Sequence, residues 1–403
     1  MIKLTDKYHC TGCSACFNIC PKQAISMKTD IEGFLQPSID QEKCIECGLC
    51  VKHCPIINPI DTQCLKQEVY AVISKKDRKV SSSGGAFSVF AKLVLSKGGC
   101  IYGATINEKF YTHHIRIDNI KDLHLLRGSK YIQSDIGDCF QLVKKDLRNG
   151  QMVLFTGTPC QIAGLYKYLG RKYENLLITL DLVCHGVPSQ GAFNEYIKKV
   201  ESLVTKGKKI KEFRFRKFNT WEYSPAIKVS DTKWRKLNLW ENAYMNAFFE
   251  GYTFRESCFH CQYCNTNRIG TFTIADFWGI GRHGVPFKKN VSCGVSLVID
   301  NFNTISTYKE QICKEAYIEK RTIQEAIAEQ TNLKNPIPRH PNRNKAIALL
   351  MNPNITLKEF SKACDLPWKI TLKYLIIKTF KDIIYILGLY NVYKTVNYKL
   401  KKS

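Results

Sequence analysis

Two cysteine runs of identical spacing constrain this chain more than any other feature. Cys10-Thr-Gly-Cys13-Ser-Ala-Cys16-Phe-Asn-Ile-Cys20-Pro21 is followed by Cys44-Ile-Glu-Cys47-Gly-Leu-Cys50-Val-Lys-His-Cys54-Pro55, so C-x2-C-x2-C-x3-C-P occurs twice. Three thiols at two-residue intervals can wrap three corners of one cubane from a single tight loop. The fourth, followed by a proline that turns the chain away, reaches the other cluster. The spacing therefore predicts Cys10, Cys13, Cys16 and Cys54 around one 4Fe–4S cluster, and Cys44, Cys47, Cys50 and Cys20 around a second. Structural zinc usually takes two separated ligand pairs, which a doubled run with both prolines does not resemble. Residues 1–60 are read as a bacterial ferredoxin-like domain with two such clusters.

The remaining composition bounds the setting. With 403 residues and 44% apolar content, two or three domains with real cores are expected. The opening Met-Ile-Lys-Leu-Thr-Asp-Lys holds no apolar signal region, and no window supplies eighteen uncharged apolar residues. The expectation is a chain kept in a reducing cytoplasm, where clustered thiols bind metal. The formal charge of +25 lies outside the first sixty residues, where six Lys balance six acidic side chains. Thiolate clusters and a dinucleotide would offset only part of it. A basic surface suits an acidic electron-carrier protein, an anionic coenzyme or an anionic membrane face. No interleaved Arg/aromatic pattern favours nucleic acid.

Between about 65 and 335 the pattern alternates. Strands are expected at Val69–Ile73, Cys100–Thr105, Tyr111–Ile117, Met152–Phe155 and Leu176–Val183, with helices at Ala86–Leu95, Ser134–Leu147, Ile162–Leu169 and Ala192–Val200. Phe213–Phe215, Ala226–Val229, Phe272–Ile274 and Val295–Ile299 add strands to a more mixed later part. The whole reads as an α+β or α/β multidomain chain with an α/β core.

Loops at strand ends carry the chemistry of this core. Ser81-Ser-Ser-Gly-Gly85 lies between a strand and a helix. It is read either as a phosphate cradle for a dinucleotide or as a plain serine-capped turn. Thr156-Gly-Thr-Pro-Cys160 and Val183-Cys184-His185-Gly186-Val187-Pro188 each bring a cysteine to the end of an apolar strand. Cys258-Phe-His-Cys261-Gln-Tyr-Cys264 lacks a fourth x3-C-P and cannot complete a cubane site alone. The economical arrangement is a third cluster on Cys160, Cys184, Cys258 and Cys261, with Cys264 spare or an alternative ligand. Zinc on the Cys258–Cys264 run, with His260 or His185, is the rival. Cys64, Cys100, Cys139, Cys293, Cys313 and Cys364 stand alone and read as small buried hydrophobes.

Six motifs in order resemble one family: Ser83-Gly-Gly-Ala-Phe-Ser88, Gly128-Ser-Lys-Tyr131, Thr156-Gly-Thr-Pro-Cys160-Gln161, Cys184-His-Gly-Val-Pro-Ser189, Ser257-Cys258-x2-Cys261 and Ala275-Asp-Phe-Trp-Gly279. Together they resemble the family of coenzyme F-420 hydrogenase/dehydrogenase beta subunits, preceded by a ferredoxin domain, over roughly residues 5–300. The resemblance implies FAD and a further 4Fe–4S cluster in the core. Carried over by motif, Ser82, Ser83, Gly84, Gly85, Ser129, Lys130, Gly157 and Thr158 are the implied FAD contacts. Cys160, Cys184, Cys258 and Cys261 match the cluster positions. His185 is a weak catalytic candidate, read equally as a structural histidine, and Asp276 either caps a turn or orients the cluster loop.

The expected function is that of an FAD- and iron–sulfur-dependent oxidoreductase. Its substrate or coenzyme exchanges two electrons, a deazaflavin coenzyme being the family's own. Its other partner is a one-electron carrier. The alternatives are a non-catalytic electron-relay subunit of a larger redox complex and a zinc-stabilised binding protein. Residues 336–403 open with Pro336-Ile-Pro-Arg-His-Pro341 and continue as a basic helical tail with eight Lys and two Asp from Asp365 onward. Such a tail docks on the core or a partner, or lies peripherally on the inner membrane face.

Overall fold

Each cysteine run winds tightly because its backbone turns left-handed on both sides of the middle cysteine. Gly12 (φ 64°) and Ser14 (φ 62°) flank Cys13, and Glu46 (φ 53°) and Gly48 (φ 73°) flank Cys47. One glycine in each pair takes this conformation without steric cost, whereas Ser14 and Glu46 are held in it by the surrounding loop. A one-turn helix lies inside each run, Ala15–Ile19 carrying Cys16 and Leu49–Lys52 carrying Cys50. Between them strands β1 (Ile25–Thr29) and β2 (Leu35–Ile39) pair antiparallel, with Met27 opposite Pro37 and Ile25 opposite Ile39. This computed structural model describes residues 2–61, 67–170, 173, 175–230 and 233–364. Cys64 and the basic segment from Asp365 lie outside the described residues.

Among the described residues the second unit has eleven strands, eight of them in one large sheet. In chain order the strands of the unit are β3 (Glu68–Ser74), β4 (Cys100–Ile106), β5 (Thr112–Ile117), β6 (Val153–Gly157), β7 (Leu177–Leu182), β8 (Glu212–Arg214), β9 (Ala226–Lys228), β10 (Arg235–Lys236), β11 (Phe272–Asp276), β12 (Ser296–Asp300) and β13 (Ala316–Arg321). The large sheet has the order β13-β3-β12-β11-β7-β6-β4-β5, while β8, β9 and β10 form a separate small sheet. Strands β11, β7, β6 and β4 are parallel neighbours. Antiparallel β12 separates β11 from β3, so β3 also runs in their direction. The fold is thus a mixed α/β arrangement rather than a purely parallel sheet.

The apolar strands are buried on both faces, as parallel sheets require. Helix Ala86–Leu95 covers one face, stacking Phe90 on Phe272 at 4.4 Å between ring centroids. Helices Cys139–Arg148 and Pro159–Leu169 cover the other around Phe140 and Phe155. The helix expected from Ser134 begins only at Cys139, because Gly137 turns left-handed (φ 53°) just before it. Edge strand β13 had no clear alternation to announce it. Helices Arg343–Met351 and Leu357–Ala363 bury Leu350 and Phe360 in the cluster that holds Phe193 and Tyr244, so residues 343–363 pack with the core. No helix among the described residues is long and apolar enough to cross a membrane.

Buried arginines tie the parts together. Arg343 pairs with Glu32 of the β1–β2 turn at 2.5 Å and with Glu256 at 3.2 Å. Beside it Gly33 meets Gly191 so closely that a Cβ on Gly33 would stand 2.6 Å from the Gly191 Cα. Arg268 pairs with Asp181 at 2.8 Å, both side chains being essentially inaccessible, and donates to the carbonyls of Tyr263 and Leu182. Asp181 also accepts from the amides of Ile269 and Gly270. The end of β7 and the chain after Cys264 are thereby fixed to each other. Asp181→Ala leaves a buried guanidinium without its anion and is expected to cost about 3–5 kcal/mol, read as a lower denaturant midpoint.

Candidate metal and cofactor centres

The ferredoxin-like unit encloses two thiol-lined pockets. Cys10, Cys13, Cys16 and Cys54 surround one, with Leu4, Met27, Pro37 and Ile56 in its wall. Cys20, Cys44, Cys47 and Cys50 surround the other, with Ile2, Ile25 and Ile39. The last cysteine of each run therefore lies with the first three of the other, and the β1–β2 hairpin supplies apolar floor to both. Gly12 N–H points to Cys10 Sγ at 3.4 Å and Ala24 N–H to Cys20 Sγ at 3.3 Å. Burial pushes the Cys16 thiol up to about 12 and Cys13 well above its ordinary value. Such thiols ionise when a cation takes the proton's place. Four thiols, apolar walls and amides aimed at sulfur fit a 4Fe–4S cubane in each pocket. No three His, Cys, Asp or Glu groups among the described residues converge on a single-ion site.

A third thiol group forms in the core. Cys160 sits in the first turn of helix Pro159–Leu169, Cys184 follows β7, and Cys258 lies in the one-turn helix Glu256–His260 just before Cys261. Their charges act on one another: burial first, then Cys258, Cys160 and Cys261, raises Cys184. Burial lifts Cys160 to about 11 and Cys258 to about 12. Cys261 goes the other way, to about 7, because Cys264 hydrogen-bonds to it, and Cys264 is raised in turn. Cys264 also feels Cys184, so it stands beside the group as a fifth thiol. His185 uses both ring nitrogens on Asn332 Oδ1 (2.9 Å) and the Phe249 carbonyl (3.0 Å), while His260 is exposed. Asp276 neither caps nor touches a cysteine; it holds Arg216 and Trp221, each at 2.7 Å.

The implied FAD contacts fall on loops at the same edge of the sheet. Gly84 must be glycine, since a Cβ there would lie 2.2 Å from the Val72 oxygen and 2.3 Å from the Ser296 nitrogen. Gly85 (φ 89°) opens helix Ala86–Leu95 without a side-chain cap of its own. Ser129 N–H donates to Ser82 Oγ at 3.1 Å, which joins the Ser81–Gly85 loop to the Gly128–Tyr131 loop. Lys130 donates to the carbonyls of Leu126 (2.8 Å) and Arg127 (3.0 Å), and burial lowers it to about 7. No carboxylate pairs with it among the described residues. Gly157 and Thr158 end β6, where Thr158 and Gln161 form a capping box and Thr158 Oγ1 lies 3.1 Å from Cys160 Sγ. Gly84 is packed against the backbone of β3 and β12, and the Ala86 amide reaches Ser296 Oγ at 3.4 Å, so the features here that fit the phosphates of a dinucleotide are the start of helix Ala86–Leu95 and the buried cation Lys130. The Ser81–Gly85 loop follows β3 and Gly157–Thr158 close β6, both at carboxyl ends, where ligands of open α/β sheets gather, whereas Gly128–Tyr131 follows the short helix Leu123–Leu126.

Comparison with known proteins agrees with this layout. Residues 9–56 match the 4Fe–4S dicluster domain, and residues 150–326 match the C-terminal part of the beta subunits of coenzyme F420 hydrogenase/dehydrogenase. The chain carries both domains. In Methanosarcina mazei, the F subunit of F(420)H(2) dehydrogenase is 23% identical over 185 residues, 43% of this chain and 53% of that protein. The ferredoxin-type protein NapF of Haemophilus influenzae is 39% identical over 59 residues, 15% of this chain and 33% of that protein. The chain thus spans about half the length of the first relative and a third of the second. A solved F420-reducing nickel–iron hydrogenase complex from Methanosarcina barkeri is similar over 70% of this chain and 99% of the matched chain, at 14% identity and a TM-score of 0.46. That likeness is too remote to bear on function.

Several residues of the beta-subunit domain escape sequence reasoning. Arg255 and Arg268 flank the Cys258–Cys264 run, but an arginine near cysteines carries no signal of its own. Arg216 is buried against Tyr223 and Trp278, and its Nε and Nη2 find no hydrogen-bond partner in the described structure. Trp221 and Trp278 stack beside it at 4.7 Å. Of these, only Trp278 lies inside a motif quoted above.

Two variants test the centres. Cys20→Ser is expected to disturb the same cluster signal as Cys47→Ser and to spare the one disturbed by Cys13→Ser, as read by electron paramagnetic resonance. Gly84→Ala forces the Ser81–Gly85 loop aside, so purified protein should lose flavin while its iron content stays unchanged.

Proposed function

We propose that this chain is an iron–sulfur flavoprotein oxidoreductase passing electrons between a two-electron (hydride) substrate or coenzyme and a one-electron carrier. A bound flavin accepts two electrons as hydride and releases them singly, whereas each cluster moves one. The residues that would hold the flavin are Ser82, Ser83, Gly84, Gly85, Ser129, Lys130, Gly157 and Thr158. Those for the core cluster are Cys160, Cys184, Cys258 and Cys261, and the two ferredoxin sets are the thiols of the two pockets.

One contact carries the reading. Helix Pro159–Leu169 carries Cys160 in its first turn, and one turn later Gly164 packs on Cys13, so closely that a Cβ at 164 would stand 3.1 Å from Cys13 Sγ. Cys13 and Cys160 feel each other's charge. Tyr263 lies within electrostatic reach of Cys13, Cys160 and Cys261, and Gln262 beside it reaches the Pro55 carbonyl. The core thiols and the Cys10–Cys54 pocket are thus neighbours, and the exposure of Cys47 supports the reading that the other pocket exchanges electrons with the outside carrier. Residues at the flavin loops shield and orient; Lys130 and the amides of helix Ala86–Leu95 supply positive potential for phosphate. The basic charge of the chain suits an acidic carrier protein or an anionic coenzyme, the deazaflavin among them.

The second reading is a relay subunit without substrate chemistry, favoured because the first relative is one subunit of a dehydrogenase. The two readings part in one assay. Anaerobic protein mixed with a panel of hydride donors, reduced deazaflavin coenzyme included, is expected to reduce a one-electron dye without added subunits. Dye reduction only after another subunit is supplied would replace the first reading with the second.

A further inference from the structure

Five arginines are buried among the described residues: Arg216, Arg255, Arg268, Arg321 and Arg343. Four of them face a carboxylate. Arg216 meets Asp276, Arg268 meets Asp181, Arg321 meets Glu319 and Glu325, and Arg343 meets Glu32 and Glu256. Arg255, 1% exposed, is the exception. Its Nε donates to the Cys10 carbonyl (2.6 Å), Nη1 to Gln133 Oε1 (3.0 Å), and Nη2 to the Leu35 carbonyl (2.9 Å) and Gln36 Oε1 (2.8 Å). All four acceptors are neutral. They satisfy the hydrogen bonds of the fork, and the Phe34 ring lies under it at 5.3 Å, but no carboxylate among the described residues pairs with its charge, an arrangement that burial makes costly.

The anions able to compensate it are the thiolates on either side. Arg255 lies three residues before Cys258, and its Nε holds the backbone of Cys10. The Cys258 amide donates to the Arg255 carbonyl at 2.9 Å, so the arginine is tied to the backbone of a cysteine in each centre. Gly12, inside the first cysteine run, has no room for a side chain because a Cβ there would stand 2.8 Å from Nη1.

We propose that Arg255 is the shared counter-charge of two neighbouring centres, the core thiols Cys160, Cys184, Cys258 and Cys261 and the ferredoxin pocket of Cys10, Cys13, Cys16 and Cys54. This rests on the cluster reading of the preceding subsection. One-electron reduction adds a negative charge to a cluster, and a fixed positive charge close by, screened little when buried, favours that form. Arg255 therefore raises the reduction potential of both centres together and keeps them matched for transfer between them. The pocket of Cys20, Cys44, Cys47 and Cys50 has no such arginine among the described residues and is left alone. Arg255 is a positioning and tuning residue, not a catalytic one.

The test is a redox titration of anaerobically purified full-length protein followed by electron paramagnetic resonance, with iron and sulfide counted in every sample. Arg255→Gln is expected to lower the reduced-to-oxidised ratio of both neighbouring clusters about tenfold at fixed potential, a shift of about 59 mV for one electron, and to leave the third cluster unmoved. Arg255→Lys keeps the charge but loses the fork, and should hold both potentials near the parent's. Arg343→Gln loosens the same contact between units at a carboxylate-paired arginine and should shift none of the three. Equal shifts in the Gln and Lys variants, no shift in either, or a shift spread equally over all three clusters would overturn the proposal. If Arg255→Gln loses its clusters, Arg255→Lys decides: clusters kept with parental potentials support the counter-charge, and loss there too refutes it. Parent protein lacking the core cluster would refute the underlying reading instead, before any variant is compared.

Discussion

The contact between Gly164 and Cys13 is the constraint around which the rest is arranged. Helix Pro159–Leu169 must present Cys160 at its first turn and a bare backbone at its second, so that the ferredoxin-like unit can approach within van der Waals distance. That requirement explains the capping box of Thr158 and Gln161, which fixes where the helix begins. Strand β6, whose end feeds the helix, is an interior strand held between β7 and β4. Cys160 and Gly164, four residues apart, share one face of that helix.

Buried cations provide the second layer of control. Arg343 clamps the β1–β2 turn, Arg268 clamps β7 to the chain after Cys264, and Arg255 reaches the first cysteine run from the residue three before Cys258. Ion pairs of this kind add little net stability against apolar residues of equal volume, yet they fail badly when one partner is removed. Their value here is geometric. Planar guanidinium forks fix several loop carbonyls at once, which apolar packing cannot do.

What could be read from the chain follows physical locality. Cysteines two and three residues apart speak directly about pocket walls, because covalent geometry sets how far each thiol can reach. Helix Ala86–Leu95 was legible to the residue, since apolar periodicity and a Gly-Gly start coincide there. The central strands, buried on both faces, announced themselves as short apolar runs. Strand β13 did not, because Ala316–Arg321 is an edge strand with polar residues and no alternation. Equally silent were the arginine partners, which lie 87 residues apart for Arg268 and Asp181 and 311 for Arg343 and Glu32. The ordering of Cys261 and Cys264 within the core group was also out of reach, since the two thiols are hydrogen-bonded neighbours rather than distinct in spacing.

The most direct measurement of the central claim is quantification of iron, acid-labile sulfide and flavin in the same oxygen-free preparation of the full chain. Three cubanes predict about twelve irons with equal sulfide per chain, together with about one flavin. Zinc in place of iron, or iron without sulfide, would contradict the account at its base.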